Sequence, residues 1–324
     1  MTNATTPWSW NPARPARLDQ PVTLLRLEGP DSLRFLHGQS SQDLERARAG
    51  HWLGTCCIGP TARMLALAEV LVDSDGGWLL ISAGDGAAVR QALDRVLFPA
   101  DRVELGPLVP ALWIHPVAAA NSSAGHDDPT WRPRKDGAGW WLGESLLLPE
   151  LSPGSVEARS GLPAALAGRQ PLNALETERW RISRGWPAAP TEINDDTNPF
   201  ELGLADRVSL DKGCYVGQET LAKLATYDGV KQQLRRWWHA GDPPAEPLAP
   251  GGVLRREAGV RAGRITSALR LGDDEGWIGL AMVRRQALEA PQLLCGEGDA
   301  ERVLEISLPA EAAAPPVGAG KAQV

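Results

Sequence analysis

The sequence predicts an α+β protein of two or three domains that ends in a small antiparallel β-barrel or sandwich. Its 324 residues are enough for two or three domains of roughly 100–200 residues each. Apolar runs with strand-like alternation are interspersed with short amphipathic helical segments up to a turn-rich segment at 241–252. Short strand patterns recur beyond that segment, at a spacing typical of a small β-barrel or sandwich.

The N-terminal elements can be assigned in order. Alternating apolar residues predict a strand over 18–28. A turn with helix-capping residues follows, and the spacing of the leucines predicts a helix over 31–45. The sequence SDGG at 74–77 lies between two apolar runs, which predicts a β-hairpin. A second amphipathic helix is predicted over 86–97.

The middle of the chain is less regular. We predict a strand after Pro99, a short strand over 140–148 and a helix over 171–180. The connection at 186–200 is dense in Pro, Asn and Asp. Long loops of this kind are more often functional, and a flexible surface loop is the alternative. A further helix is predicted over 218–225.

The charge balance is acidic, with 33 Lys and Arg against 40 Asp and Glu and a net charge of −7. This balance argues against a protein that holds nucleic acid over its whole surface, so we expect no stable nucleic-acid binding, although a local basic cleft stays open. The N-terminus lacks the charged-then-apolar order of a signal peptide, and no apolar run approaches the ~18–20 residues that span a bilayer. We therefore expect a cytoplasmic protein with no membrane partner.

The four cysteines are Cys56, Cys57, Cys214 and Cys295. They form no CxxC motif and no cluster with histidine at metal-ligand spacing. We therefore expect neither a disulfide framework nor a metal site. Cys56 and Cys57 are adjacent in a predicted strand and should point to opposite faces, with one of them in the core.

The segment at 211–219, DKGCYVGQE, contains the densest chemistry of the chain. Gly213 and Gly217 permit backbone angles or close approaches that other residues do not. Lys212 lies two positions from Cys214, and a nearby cation can lower the pKa of a thiol and favour the thiolate. The alternative is a tight turn that carries an inert cysteine.

Lys212 to Glu219 resembles the KGCYxGQE signature of the YgfZ-type folate-binding proteins, which are relatives of the glycine cleavage system T-protein, an aminomethyltransferase. The resemblance extends over nearly the whole chain and is weakest over 110–165. Gln39 and Asp43, within 27–44, match the family's GQ-and-Asp element. Further similar segments lie at 178–187, 263–268 and 279–285.

The resemblance implies a three-domain α+β ring with a central folate-binding channel and a C-terminal small β-barrel. The implied boundaries are a discontinuous folate-binding domain over 18–50 plus 170–235, a second α+β domain over 51–169, a barrel over 236–310, and flexible tails over 1–17 and 311–324.

The resemblance also implies a function. Members of this family bind tetrahydrofolate or a derivative and support the assembly or repair of iron–sulfur proteins, including enzymes that modify tRNA. Their implied partners are folate and iron–sulfur client proteins or assembly factors. The resemblance leaves open whether the chain is itself an enzyme, and the alternative is a folate-dependent one-carbon or aminomethyl transferase on an unknown substrate. A third reading is an interaction module that has lost folate binding.

The candidate site residues follow from the resemblance and from what folate presents. Cys214 and Lys212 are the candidate catalytic residues, since both are nucleophiles. A pterin needs hydrogen bonds along one edge, and a glutamate tail is best met by arginines. Arg235 and Arg236 are further choices for the tail, with a solvated strand edge as the alternative. The candidate folate-binding residues are Gln39, Arg181, Asp195, Glu201, Arg207, Gly213, Tyr215, Gly217, Gln218 and Glu219.

The sequence also departs from the T-protein pattern. Val89 occupies the position of the aspartate that serves aminomethyl transfer, and Asp85 is the nearest acid. Ala189 occupies the position of a pterin-holding tyrosine, and the acidic partner falls on Asp195 or Asp196. A folate-recognising scaffold is therefore expected, and glycine-cleavage transfer is not.

Overall fold

The computed structural model describes residues 6–117, 130–150, 162–241, 248–257, 259–272 and 275–317. Parts of the predicted turn-rich segment 241–252 and of the two predicted tails lie outside these residues. The described chain is α+β with a closed C-terminal barrel, which confirms the predicted fold class.

Nine strands form one sheet in the order β2-β3-β4-β1-β5-β8-β7-β6, and β9 pairs in parallel with β1. These strands are β1 (Ala16–Glu28), β2 (Trp52–Ile58), β3 (Met64–Val72), β4 (Gly76–Gly84), β5 (Glu104–Val117), β6 (Trp131–Pro133), β7 (Trp140–Leu142), β8 (Ser145–Pro149) and β9 (Gln170–Pro171). The β3–β4 connection is the hairpin that the sequence predicts.

The sheet curls until its two ends meet. An isolated bridge joins His51, just before β2, to Thr130, just before β6, and the Trp131 amide donates to the Gly50 carbonyl at 2.8 Å. A core cluster with members from every strand between β1 and β8 fills the curl, and it includes Trp52. Large indole rings suit this position because a curled sheet encloses a wide interior.

Six strands form a closed antiparallel barrel in the order β10-β13-β12-β11-β14-β15. These strands are β10 (Gln232–His239), β11 (Val253–Arg255), β12 (Arg261–Arg270), β13 (Trp277–Arg284), β14 (Gln292–Cys295) and β15 (Arg302–Ser307). Trp237 is fully buried in its core and donates its indole N–H to the Leu280 carbonyl at 3.0 Å. The predicted small C-terminal barrel is confirmed.

Five α-helices lie among the described residues: α1 (Ser32–Gln39), α2 (Gly86–Asp94), α3 (Ala164–Ala167), α4 (Ala174–Arg184) and α5 (Gln218–Thr226). The largest core cluster joins the sheet, α5 and the outer face of the barrel through side chains such as Cys56, Phe200, Leu221 and Met282. Cys57 lies in a second core on the other face of β2, so both cysteines are buried where one was expected.

Two helices differ from their predicted limits for local reasons. The helix predicted over 171–180 is α4, which begins after Asn173 because that residue forms a capping box with Glu176. It continues to Arg184 and ends at Gly185, whose φ of 74° is the left-handed geometry of a helix C-cap. The helix predicted over 86–97 is α2, which ends at Asp94.

The helix predicted over 31–45 ends at Gln39, because Ser40 adopts extended backbone angles of φ −139° and ψ 168°. Leu44 still points into the core, as predicted, from an irregular segment. The leucine spacing that predicts a longer helix therefore continues beyond α1, but the segment that carries Leu44 is not helical.

The described parts of the predicted tails are anchored. Trp8 lies in a short 3-10 turn and packs against the largest core cluster. Glu311 accepts from Arg184 at 2.5 Å and from the Trp186 indole at 2.8 Å, and the Ala313 amide donates to Gly203 at 2.8 Å. Residues 6–17 and 311–317 thus belong to the folded body.

Candidate functional site

The KGCY segment lies against the end of α1 and the start of the irregular chain that follows it. The Val216 amide donates to the Gly38 carbonyl at 3.0 Å, and the Ser209 amide donates to the Ser41 carbonyl at 2.9 Å. Two regions resemble motifs of the family, one around Gln39 and one around Cys214. These two regions are therefore in direct contact.

Lys212 completes the end of α1. Its Nζ donates to the carbonyl oxygens of His37 at 2.5 Å, Ser40 at 2.7 Å and Gln42 at 2.8 Å. The amine also lies 4.2 Å from the ring centroid of Tyr215, which adds a cation–π contact. The last carbonyls of a helix have no partner within it, and here one buried ammonium group satisfies those of His37 in the last turn and Ser40 at the C-cap.

The position of Lys212 affects its protonation. Burial lowers the pKa of the Lys212 amine to about 7, and the charges of Asp43 and Glu45 oppose this shift. The three carbonyl oxygens match the three N–H donors of the charged form. As a nucleophile this amine would have to give up all three hydrogen bonds, so the geometry favours a positioning role over the predicted catalytic one.

Cys214 has the opposite environment. Its thiol is free and exposed, and no hydrogen bond or ion pair within the described chain engages it. The neighbouring Tyr215 is buried, its hydroxyl has no hydrogen-bond partner, and burial raises the pKa of that hydroxyl. The loop thus presents one reactive atom to solvent while its neighbours fix the backbone on both sides.

His37 lies beside this loop and was not among the predicted site residues. The side chain is 5% exposed, its Nδ1 accepts from the Leu44 amide at 3.2 Å, and its Nε2 has no partner. A Cβ built on Gly213 would lie 3.9 Å from that nitrogen. Burial and the charge of Lys212 lower the pKa of the imidazole. The sequence signal was its position two residues before Gln39.

The two glycines of the segment differ in their roles. Gly217 has a φ of 79°, and a Cβ there would lie 2.8 Å from the Gly59 carbonyl oxygen. Gly213 lies outside the left-handed region and has open space around it apart from the His37 ring. Only Gly217 therefore requires glycine for its backbone angle and its close approach.

The remaining polar residues of this region are only partly engaged. Gln218 opens α5 and donates to the Lys212 carbonyl at 3.2 Å. Glu219 lies in the first turn of α5, as predicted, and pairs with Lys223 at 2.6 Å on the exposed helix surface. Gln39 is half-buried at the end of α1 and lines a surface cleft of about 230 Å³.

A second cluster forms around Glu201, which is 5% exposed. Its Oε2 accepts from the Asn198 amide at 3.2 Å and lies 3.7 Å from Arg63 Nη1. Burial raises the pKa of the Glu201 carboxyl, while hydrogen bonds from Asn198 and Gln232 and the charges of Arg63 and Lys231 oppose the shift. A buried carboxylate surrounded by basic groups is a typical feature of a binding site.

Asp196 extends this cluster. Arg63 donates to its backbone carbonyl at 2.7 Å, and Arg264 of β12 approaches its carboxylate at 3.8 Å. Asp195 is exposed, and its side chain makes no hydrogen bond or ion pair within the described residues. Of the two predicted acids, Asp196 is therefore the one that shares a partner, Arg63, with Glu201. Arg63 and Arg264 were missed because they come from segments far from the KGCY motif.

The β2–β3 turn connects the two clusters. Gly217 packs directly on this turn, at Gly59 and Ala62. The same turn carries Arg63 to Glu201, and the Met64 amide beyond it donates to the Thr197 carbonyl at 2.9 Å. The KGCY loop and the Glu201 cluster therefore both contact this one short turn.

Arg181, predicted for folate, is engaged within the protein. It donates to Glu178 at 2.7 Å, to the Ser267 hydroxyl at 2.7 Å and to the Trp186 carbonyl at 2.7 Å. Its Nη1 also lies 3.4 Å from Glu192, a fully buried carboxylate. This network joins α4 to the barrel.

Arg207 is engaged in the same way. Its Nη1 donates to Glu69 Oε1 at 2.6 Å, and the Trp52 indole donates to Glu69 Oε2 at 2.9 Å. A Cβ on Gly54 would lie 2.5 Å from the same guanidinium nitrogen. Arg207 therefore inserts into the curled sheet beside a glycine that leaves space for it.

Arg235 and Arg236 are buried, so neither forms the solvated strand edge considered above. Arg236 donates to the carbonyls of Ser183 at 2.6 Å and Leu308 at 3.0 Å and stacks on Trp8. Arg181, Arg207 and Arg236 thus join separate parts of the fold, whereas within the described chain Arg235 donates only to Gln233 and to the Leu234 carbonyl beside it.

The positions that depart from the T-protein pattern carry no free carboxylate. Val89 is buried on the inner face of α2. Asp85 is the N-cap of that helix and accepts from the amides of Ala87 at 2.8 Å and Ala88 at 3.3 Å. The nearest acid is therefore occupied by a structural role.

Two general features of the described residues bear on the site. They contain no group of three or more His, Cys, Asp or Glu side chains that could hold a metal ion. None of their helices is both long and apolar enough to cross a membrane.

Comparison with known proteins gives a consistent result. A chloroplastic protein of Arabidopsis thaliana, named as a transferase, is 29% identical over 81% of this chain, which covers 63% of that protein's length. The tRNA-modifying protein YgfZ of Yersinia pseudotuberculosis is 25% identical over 79% of this chain and 80% of its own. The solved structure of the glycine cleavage system aminomethyltransferase T from Bartonella henselae aligns with a TM-score of 0.72 at 17% identity, covering 93% of this chain and 88% of the other.

The chain is therefore similar in sequence to YgfZ-type proteins and in fold to aminomethyltransferase T. No protein-family model matches it. The structural neighbour supports the fold described above, with its curled sheet and six-stranded barrel. The family resemblance given for the sequence is thereby confirmed.

Proposed function

We propose that this YgfZ-type protein binds tetrahydrofolate or a derivative and supports the assembly or repair of iron–sulfur proteins in the cytoplasm, including enzymes that modify tRNA. The observation that carries the proposal is the Glu201 cluster, a buried carboxylate beside Arg63 and Lys231 on the fold of an aminomethyltransferase. The Yersinia relatives, named as tRNA-modifying proteins, support the last part.

The residues of the cluster fit the chemistry of a folate. A pterin edge offers N–H donors, and the Glu201 carboxylate can accept from them. A glutamate tail is a dicarboxylate, and Arg63 and Arg264 are the basic side chains nearest to Asp196 and Glu201. Arg63 lies 3.7 Å from Glu201 and so belongs to the pterin end of the site, which leaves Arg264 for the tail, because Arg181 and Arg207 are engaged elsewhere. The bound folate would supply or accept a one-carbon unit.

The chain's own groups then have separate tasks. Glu201 orients the pterin edge, and the Asn198 amide holds one oxygen of that carboxylate in place. Lys212 fixes the KGCY backbone on the end of α1. Cys214 is left exposed to meet a client protein. This arrangement supports an accessory role, since the reactive group faces outward.

Calorimetric titration with tetrahydrofolate tests the folate assignment. We expect binding at micromolar strength or better, about −8 kcal/mol, which is lost in Glu201→Gln and weakened at least tenfold in Arg63→Ala. Glu297→Gln is the matched control, because that carboxylate pairs with Arg255 on the surface of the barrel. If wild type does not bind, or if Glu201→Gln binds as wild type does, the assignment fails.

Complementation tests the cellular role. In a bacterial strain that lacks its own YgfZ-type protein, we expect this chain to restore the activity of iron–sulfur enzymes. We expect Cys214→Ser to fail while Cys295→Ser, at a buried thiol, succeeds. Full restoration by Cys214→Ser would remove the proposed role of that thiol.

A second candidate function is a folate-dependent one-carbon transferase. The exposed thiol of Cys214 and the transferase name of the Arabidopsis relative favour it. The capping role of Asp85 and the apolar Val89 oppose it. Transfer of isotope from labelled methylenetetrahydrofolate to a small amine or thiol acceptor would support this candidate, and the absence of transfer with demonstrated binding would favour the accessory role.

A further inference from the structure

A cleft of about 250 Å³ lies on the outer face of the barrel, away from the residues assigned above. Two indoles, Trp8 and Trp238, contribute to its lining. Trp8 comes from the anchored N-terminal segment and Trp238 from β10. The remaining lining residues, from the start of β14 and from β15, are Pro291, Gln292, Glu305, Ile306 and Ser307.

The polar groups of this cleft are acceptors without partners. The side chains of Glu305 and Gln292 are exposed and make no hydrogen bond or ion pair within the described residues. The Ser307 Oγ is buried and also has no partner. Glu305 lies directly across from Trp238 on β10 and from Gln292 on β14. The cleft thus places a carboxylate beside the Trp238 indole, and no cation is among its lining residues, while Arg236 stacks on Trp8.

An aromatic wall with an unpaired carboxylate favours a cation. A guanidinium suits this site better than an ammonium because it is planar and can stack on an indole while donating to several acceptors. The protein's own arginines show the same preference. Arg236 lies 4.5 Å from the Trp8 centroid, Arg179 lies 5.0 Å from Trp10, and Arg184 lies 5.1 Å from Trp180.

We propose that this cleft binds an arginine side chain presented by a partner protein. The guanidinium stacks against Trp238, pairs with Glu305 and donates to the Gln292 and Ser307 oxygens. This site lies beyond the proposed folate function and does not depend on it. It gives the barrel a recognition role of its own.

The test uses the full chain with N-acetyl-arginine amide as the probe, followed through the indole N–H signals of Trp8 and Trp238 by NMR. We expect saturable shifts of these two signals, and at least tenfold weaker binding in Glu305→Gln. Glu301→Gln is the control, because Glu301 is an exposed acid just before β15 that does not line the cleft. N-acetyl-glutamine amide is the neutral control probe and should not bind.

Three results would overturn the proposal. The first is that the arginine probe leaves both indole signals unchanged, and the second is that the neutral probe binds equally well. The third is that Glu305→Gln binds as tightly as wild type. Sedimentation equilibrium distinguishes the source of the arginine: a dimer that Glu305→Gln dissociates would mean that the occupant is a second copy of this chain, and the partner assignment would then be wrong.

Discussion

Replacing Lys212 by methionine tests the positioning role of this amine. Methionine keeps the length and apolar stem of the side chain but removes every N–H donor, so the carbonyls of His37, Ser40 and Gln42 lose their shared partner. Hydrogen bonds to a charged group contribute about 1.5–3 kcal/mol each. Part of that gain offsets the cost of burying the ammonium, which the variant no longer bears. We expect a net loss of about 3 kcal/mol in the free energy of unfolding.

Urea denaturation followed by circular dichroism measures this loss. With a slope of about 3 kcal/mol per molar urea, the midpoint should fall by about 1 M. Lys223→Met is the matched control, because that amine pairs with Glu219 on the surface, and its midpoint should not move. A Lys212→Met midpoint equal to that of the control would refute the positioning role and return Lys212 to the candidate nucleophiles.

Three further predictions concern stability. Gly217→Ala should lower the free energy of unfolding in urea by about 2–4 kcal/mol, because the φ of Gly217 is 79° and an added Cβ would lie 2.8 Å from the Gly59 oxygen. Gly213→Ala is the control and should change the free energy of unfolding little. Equal losses in the two variants would contradict the argument. The unfolded chain keeps the Lys212 proton up to about pH 10, whereas the folded chain releases it near pH 7. The free energy of unfolding should therefore rise with pH between these values, and Lys212→Met should remove its part of this rise. Asp85→Ala should lower the free energy of unfolding by about 1 kcal/mol through the lost N-cap, and it should leave the affinity for tetrahydrofolate unchanged. A weaker affinity would show that Asp85 acts in the site.

Alternation and turn signals along the sequence were sufficient to predict the main strands and a C-terminal barrel or sandwich, and the family resemblance selected the barrel. The strand over 18–28 is β1, and the SDGG turn separates β3 from β4. These features follow from local rules, since a strand with one buried face must alternate. Helix ends were less predictable. The early end of α1 depends on Lys212, which is distant in sequence and which no local pattern could bring to it.

The candidate site, too, could be predicted only where it depends on local sequence motifs. Glu201 and the KGCY segment carry family motifs and could be singled out from the sequence. Arg63 and Arg264 reach Asp196 only because the β2–β3 turn and the barrel fold back on the 195–201 loop, so spacing gave no signal for them. Arg181 and Arg207 were predicted as folate-binding residues because of their charge. In the structure Arg181 pairs with the buried carboxylate of Glu192, and Arg207 pairs with that of Glu69. Such pairings become visible only with tertiary structure.

The distance along the chain between Lys212 and the carbonyls that it holds also has a consequence for biosynthesis. The amine is separated from its partners by 170 to 175 residues. At roughly 5–20 residues per second, the ribosome exposes α1 on the order of 10–30 seconds before Lys212. An eight-residue helix has little stability by itself. The N-terminal end of the nascent protein should therefore remain accessible to proteases and chaperones until the KGCY segment emerges. A chain truncated before Lys212 should accordingly be degraded rapidly.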